Sequence, residues 1–238
     1  MIPLLLLPGM LCDARLFAPQ IAAIRDRAVT VADVTEADTT AAIAAGVLAR
    51  APSRFALAGL SLGGIVAMEM LAQLQADGSA DRIAGLCLMA TNPKAEHPAV
   101  AAGRAPQMAR VAAGGLRTVM RDELMPSYVA DGPHRDAILQ TCMAMAETLG
   151  PAAFARQSRA LQTRADRQDA LRAVTVPTLV LCGREDALCP VHRHEAMHAL
   201  VPGSRLAILE NAGHLPTLER PDEVTAHLRR WLAEVEAA

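Results

Sequence analysis

Phe55-Ala56-Leu57-Ala58-Gly59-Leu60-Ser61-Leu62-Gly63-Gly64-Ile65-Val66 is an apolar run that meets a glycine-punctuated turn and continues as a helical pattern to Gln75, where Asp77-Gly78 ends it. Residues 59–63 read G-x-S-x-G, with a strand expected before and a helix after, the context in which this spacing has chemical meaning. A serine on so sharp a turn projects its hydroxyl into open space, and the flanking glycines let neighbouring chain pass without a clashing Cβ. The helix that follows adds the positive end of its dipole, and the Leu62 amide is positioned to donate to a negative oxygen forming beside Ser61. The plainer reading is a glycine-lined strand-to-helix turn that carries a serine by chance.

Outward from this turn, short apolar runs alternate with longer helical patterns, the signature of a parallel sheet with crossover helices. Strands are expected over residues 2–7, 28–32, 55–58, 83–90, 178–182 and 205–209. Helices are expected over 17–25, 39–51 with Asp38 as its cap, 65–75, 191–201 and 222–236. Between Asn92 and Ala173 the strand pattern stops, and helical stretches occupy 105–113, 116–124, 135–149 and 152–161. The expected organisation is an α/β core of residues 1–92 and 174–238, interrupted by a helical cap insertion at 93–173.

A serine hydroxyl is a poor nucleophile at neutral pH and needs a base in reach and an acid behind the base. Of seven histidines, His214 follows the last strand in Glu210-Asn211-Ala212-Gly213-His214, on a loop leaving the same sheet edge as Ser61. His97 and His134 fall in the insertion, His227 in the last helix, and His192, His194 and His198 around one helix, where surface or packing roles suffice. The strand at 178–182 runs into Gly183-Arg184-Glu185-Asp186, which makes Asp186 the expected acid and Glu185 its alternative. Two carboxylates that merely solvate a loop would look the same.

Composition removes other classes. With 238 residues, 52% hydrophobic and 20% charged, the chain can bury a substantial core and is not disordered. Lys+Arg 23 against Asp+Glu 25 leaves too little positive charge for nucleic acid or an anionic membrane as the main partner. The apolar start is stopped by Pro8-Gly9, short of the roughly 18 residues a membrane span needs. Five scattered cysteines, Cys12, Cys87, Cys142, Cys182 and Cys189, lack zinc or redox spacing and point to a reducing cytoplasm.

The turn at Gly59–Gly63, the acid turn at Gly183–Asp186 and the stretch Gly213-His214-Leu215-Pro216-Thr217-Leu218-Glu219-Arg220-Pro221 together resemble the α/β-hydrolase superfamily over nearly the whole chain. The resemblance implies an α/β-hydrolase fold, a mostly parallel sheet of about six strands flanked by helices with a helical cap. The first strand aligns with the family's third, without the customary antiparallel hairpin, and Asp33 lacks the usual glycine-rich turn after it. Leu7-Pro8-Gly9-Met10-Leu11 stands where the family has His-Gly, which implies the Met10 amide as second oxyanion donor beside Leu62. Acyl transfer through Ser61, His214 and Asp186 follows, with no metal or organic cofactor. The expected substrate is a small or medium carboxylic ester; thioester, lactone or C–C cleavage and perhydrolysis share the same triad. Alternatively, the chain is a non-catalytic ligand-binding protein on this fold. Ser61 in place of aspartate excludes the dehalogenase and epoxide hydrolase relatives, and a lone Tyr128 excludes a paired-tyrosine epoxide clamp.

His194-Glu195-Ala196-Met197-His198 also spells H-E-x-x-H, a zinc pattern when both imidazoles share a helix face. No third ligand stands at a recognisable spacing, and Glu195 and His198 are expected to face solvent. Met108, Met120, Met125, Met143 and Met145, with Leu116, Leu124, Leu139 and Leu149, could roof an acyl pocket or simply pack their helices. Leu11, Met120, Met125 and Met143 are the expected substrate contacts. The partner is a small-molecule ester or related acyl compound, and the chain is expected to act alone or as a homodimer.

Overall fold

The computed structural model describes residues 1–238. In chain order, β1 (Leu4–Leu7), α1 (Ala18–Ala23), β2 (Val29–Val31), α2 (Thr40–Arg50), β3 (Phe55–Leu60), α3 (Leu62–Ala76) and β4 (Ile83–Met89) form the first part. Then come α4 (Pro98–Arg110), α5 (Leu116–Val119), α6 (Arg135–Gln162), α7 (Gln168–Arg172), β5 (Thr178–Gly183), α8 (Val191–Leu200), β6 (Arg205–Leu209), α9 (Pro216–Glu219) and α10 (Pro221–Ala237). The strands make one all-parallel sheet of six, ordered β2-β1-β3-β4-β5-β6. This is the parallel sheet with crossover helices that the alternating pattern predicts, in the α/β-hydrolase arrangement that the resemblance implies.

Because successive side chains on a strand point to opposite faces, the apolar runs feed two cores. Leu4 and Leu6 of β1 and Leu179 and Leu181 of β5 join one, while Leu5, Leu7 and Val180 join the other. On the first face, α10 presents Val224, Leu228, Trp231, Leu232 and Val235 at helical spacing. The Trp231 ring N–H finds the Pro177 carbonyl at 3.0 Å, so that large side chain is buried without an orphaned donor.

Three details differ from expectation. The cap of α2 is Thr39, whose hydroxyl accepts the Ala42 N–H at 3.1 Å, whereas Asp38 pairs with Arg159 at 3.1 Å. Helix α3 begins at Leu62 rather than Ile65, directly against Ser61. The expected helices at 135–149 and 152–161 are one run, α6, broken by Gly150 at φ 77° just before Pro151, which lacks the N–H a continuous helix would use.

The segment between β4 and β5 packs Met120, Met125, Tyr128, Val129, Cys142 and Phe154 into the same core as Leu60, Met89 and Leu215. Strand register brings Leu7, Gly59 and Leu88 level, and likewise Gly183 and Leu209. The loops that follow these residues therefore leave a common carboxyl edge beside the helices between β4 and β5, the usual place for chemistry in an open α/β sheet. No helix is long and apolar enough to cross a membrane.

Candidate active site

Ser61 sits between β3 and α3 with φ 55° and ψ −116°, a strained pair of angles for a residue bearing a Cβ. The turn persists because its surroundings fix it. The Ser61 N–H donates to Met89 O at 2.9 Å, and its carbonyl accepts from the Thr91 hydroxyl at 2.8 Å and the Ile65 N–H at 3.1 Å. A Cβ on Gly59 would lie 2.3 Å from Gly63 O, and one on Gly63 would lie 2.0 Å from Leu7 O, so neither position admits a side chain.

The three residues singled out in the sequence meet here. His214 Nε2 lies 2.9 Å from Ser61 Oγ, and His214 Nδ1 lies 2.9 and 3.0 Å from the two Asp186 oxygens. With Nδ1–H donating to the carboxylate, Nε2 is left as the acceptor of the serine hydroxyl proton. His214 and Asp186 are both buried. Burial works to raise the Asp186 carboxyl, but the His214 charge and hydrogen bond, the Cys189 N–H at 2.8 Å and nearby His194 outweigh it, so the group titrates below the usual aspartate value. Glu185 is exposed and accepts the Ala212 N–H at 2.9 Å, away from this contact.

Leu62 opens α3, so its N–H has no carbonyl one turn earlier to bond. In the loop after β1, the Cys12 N–H is taken by Gly9 O at 3.1 Å and the Leu11 N–H by Gln157 Oε1 at 2.9 Å. The Met10 amide is uncommitted. Leu11 carries φ 54°, and Gln157 holds it from α6 while donating to Val34 O at 3.3 Å. Gln157 was not foreseen. Its signal is a fully buried amide on a helix face otherwise made by Phe154 and Leu161.

Leu11, Met120 and Met125 are buried in the core beside these loops. Met125 and Met143 also line an open cavity of about 440 Å³ among the helices between β4 and β5, with Arg117, Leu139 and Glu147 among its other walls; Ser61 and His214 are not among them.

On the H-E-x-x-H helix, His194 takes the packing role among the two the sequence left open, since it is fully buried. Its Nε2 accepts the Thr91 N–H at 3.1 Å, while His198 pairs with Ser204 Oγ at 2.8 Å, so the two rings serve different partners. His194 thus steadies the residue that grips the Ser61 carbonyl. Asp186, Cys189 and His214 have ligand atoms within 4.8 Å of one another. The first and last already bond each other, and burial pushes the Cys189 thiol up to about 12, so this group is a poor cation site.

Burial drives His194 down to about 4, while Asp186 and the Pro190 carbonyl pull the other way. Its neutral form is therefore the one the fold accepts, and this contribution to stability is full above the unfolded-state value near 6.5 and is lost as pH falls through about 4. Urea unfolding at about pH 7.5 and about pH 4.5 should show a loss of roughly 2–3 kcal/mol that His194→Gln largely abolishes. An equal loss in both proteins would refute this.

A profile of the alpha/beta hydrolase family matches residues 5–227. The chain belongs to that family. It is 26% identical over 197 residues to a pimeloyl-[acyl-carrier protein] methyl ester esterase of Neisseria meningitidis, covering 81% of this chain and 74% of the relative. A thermophilic esterase from Thermogutta terrifontis superposes with TM-score 0.87 at 28% identity, over 99% of this chain and 90% of the other. An enol-lactonase from Burkholderia xenovorans, at 21% identity and TM-score 0.85 over 98% and 92% of the two chains, shares the fold. This alpha/beta hydrolase is an esterase-like enzyme.

Proposed function

We propose that the protein hydrolyses small or medium carboxylic esters through an acyl-enzyme on Ser61. His214 takes the serine proton as Oγ attacks the carbonyl carbon. The Leu62 and Met10 amides stabilise the tetrahedral oxyanion, and His214 then protonates the departing alcohol. Water attacks the acyl group by the same route and returns the serine. Asp186 holds the ring in the tautomer this requires. The observation that carries the reading is the pair of 2.9 Å contacts that join Ser61 to His214 and His214 to Asp186. Similarity to a methyl ester esterase supports an ester with a small alcohol.

In this reading the helices of 93–173 form a cap; Leu11 and Met120 back the loops around Ser61 from within the core, while Met125 and Met143 line a separate cavity that does not reach Ser61. Five free cysteines support a reducing, cytoplasmic setting. The test is turnover of p-nitrophenyl and methyl esters of increasing acyl length, with mass spectrometry of protein treated with a fluorophosphonate. Turnover and an adduct on the Ser61 peptide are expected. An inactive protein that takes no adduct yet binds a small ligand tightly would favour a binding role.

A further inference from the structure

We propose that Glu219 is a positioning residue that fixes the backbone around His214 and locks it to the loop by which the insertion returns toward α6. The inference rests on the reading of Ser61, His214 and Asp186 given above. Glu219 closes the short helix α9, five residues beyond His214. Its Oε2 accepts the N–H of Gly213 and the N–H of Ala130, each at 2.8 Å, and its Oε1 accepts the N–H of Leu215 at 2.9 Å. The N–H of His214 itself donates to Tyr128 O at 2.9 Å. Three consecutive N–H groups, 213 to 215, are thus spent on Glu219 or on the insertion. The two loops meet backbone to backbone, since a Cβ on Gly213 would lie 2.8 Å from the Ala130 nitrogen.

A carboxylate suits this place because both of its oxygens must accept, and a glutamine offers only one accepting oxygen. Burial raises the Glu219 carboxyl, Asp186 adds to that, and the three N–H donors pull it back toward the charged form that the joint needs. The His214 ring bridges two contacts of 2.9 Å, so its tolerance for displacement is small. A shift of loop 128–130 is carried to the base through the Glu219 carboxylate as well as through the Tyr128 carbonyl.

Glu219→Gln keeps the size and puts an NH2 group against backbone donors. We expect kcat to fall about 10- to 100-fold with KM nearly unchanged. The low-field proton resonance of the His214–Asp186 hydrogen bond should shift or broaden, and Glu219→Asp, which restores two acceptors on a shorter arm, should recover part of both. In the wild-type protein, hydrogen exchange at Ala130, Gly213 and Leu215 should be slow and matched. Wild-type kcat in folded Glu219→Gln, a fall in kcat with an unmoved resonance, or fast exchange at Ala130 and Gly213 in the wild type would each overturn the proposal. The exchange result decides if the variant does not fold. Ser61→Ala run alongside separates the two readings: full activity there defeats the triad, whereas its loss beside a normal Glu219→Gln defeats only the clamp.

Discussion

Ser61→Ala is expected to lower kcat for p-nitrophenyl acetate by about 10⁴- to 10⁶-fold and to leave KM and fold nearly unchanged. The hydroxyl is the only atom lost. His214, whose Nε2 lies 2.9 Å away, keeps the bond from its Nδ1 to Asp186 but has only water to activate. The bonds that hold the turn, from the Ser61 N–H to Met89 O and from the Thr91 hydroxyl to the Ser61 carbonyl, belong to the backbone of residue 61 and survive the change. In the proposed mechanism, residual turnover would report what the Leu62 and Met10 amides supply without a nucleophile. Steady-state kinetics with a melting curve checks both halves. Activity within tenfold of wild type in a folded variant would remove Ser61 from the mechanism.

Asp186→Asn should cost about 10³- to 10⁴-fold in kcat at neutral pH. Asp186 Oδ1 accepts the Leu188 and Cys189 N–H groups at 2.9 and 2.8 Å, and an asparagine oxygen can keep those bonds. Its NH2 then faces His214 Nδ1. A donor there makes Nδ1 the acceptor and puts the ring proton on Nε2, where it points at Ser61 and blocks proton uptake. Glu185→Gln, which retains an acceptor for the Ala212 N–H, should keep most of the activity. The reverse pattern, with Glu185→Gln inactive and Asp186→Asn active, would exchange the roles of these neighbours.

Much of this site was legible because its parts lie in short segments whose chemistry and fold context coincide. The strand at 55–60, the glycines around Ser61 and the histidine two residues past Ala212 each carry local constraints that a single sequence displays. The choice between Glu185 and Asp186 did not, because both leave one turn and only the fold decides which points inward. For His194 the choice between surface and packing was open for a related reason. Its partner is the N–H of Thr91, 103 positions away, and no helical periodicity announces a distant backbone donor. Gln157 and Glu219 act in the same manner, on Leu11 and on Gly213, Ala130 and Leu215. Local choices also slipped at element ends: Thr39 and Asp38 are both good caps, and the structure uses the first while the second answers Arg159.

The spread of the reacting groups over β3, β5 and β6 has a consequence for how the enzyme is born. During synthesis the alcohol at position 61 leaves the ribosome 153 residues ahead of the imidazole at 214. Between those moments the nascent polypeptide carries a nucleophile with no proton acceptor, and the central strand waits for an edge not yet translated. In the proposed mechanism reactivity waits for the segment that carries this imidazole, so a product terminated before it should be inert rather than indiscriminate.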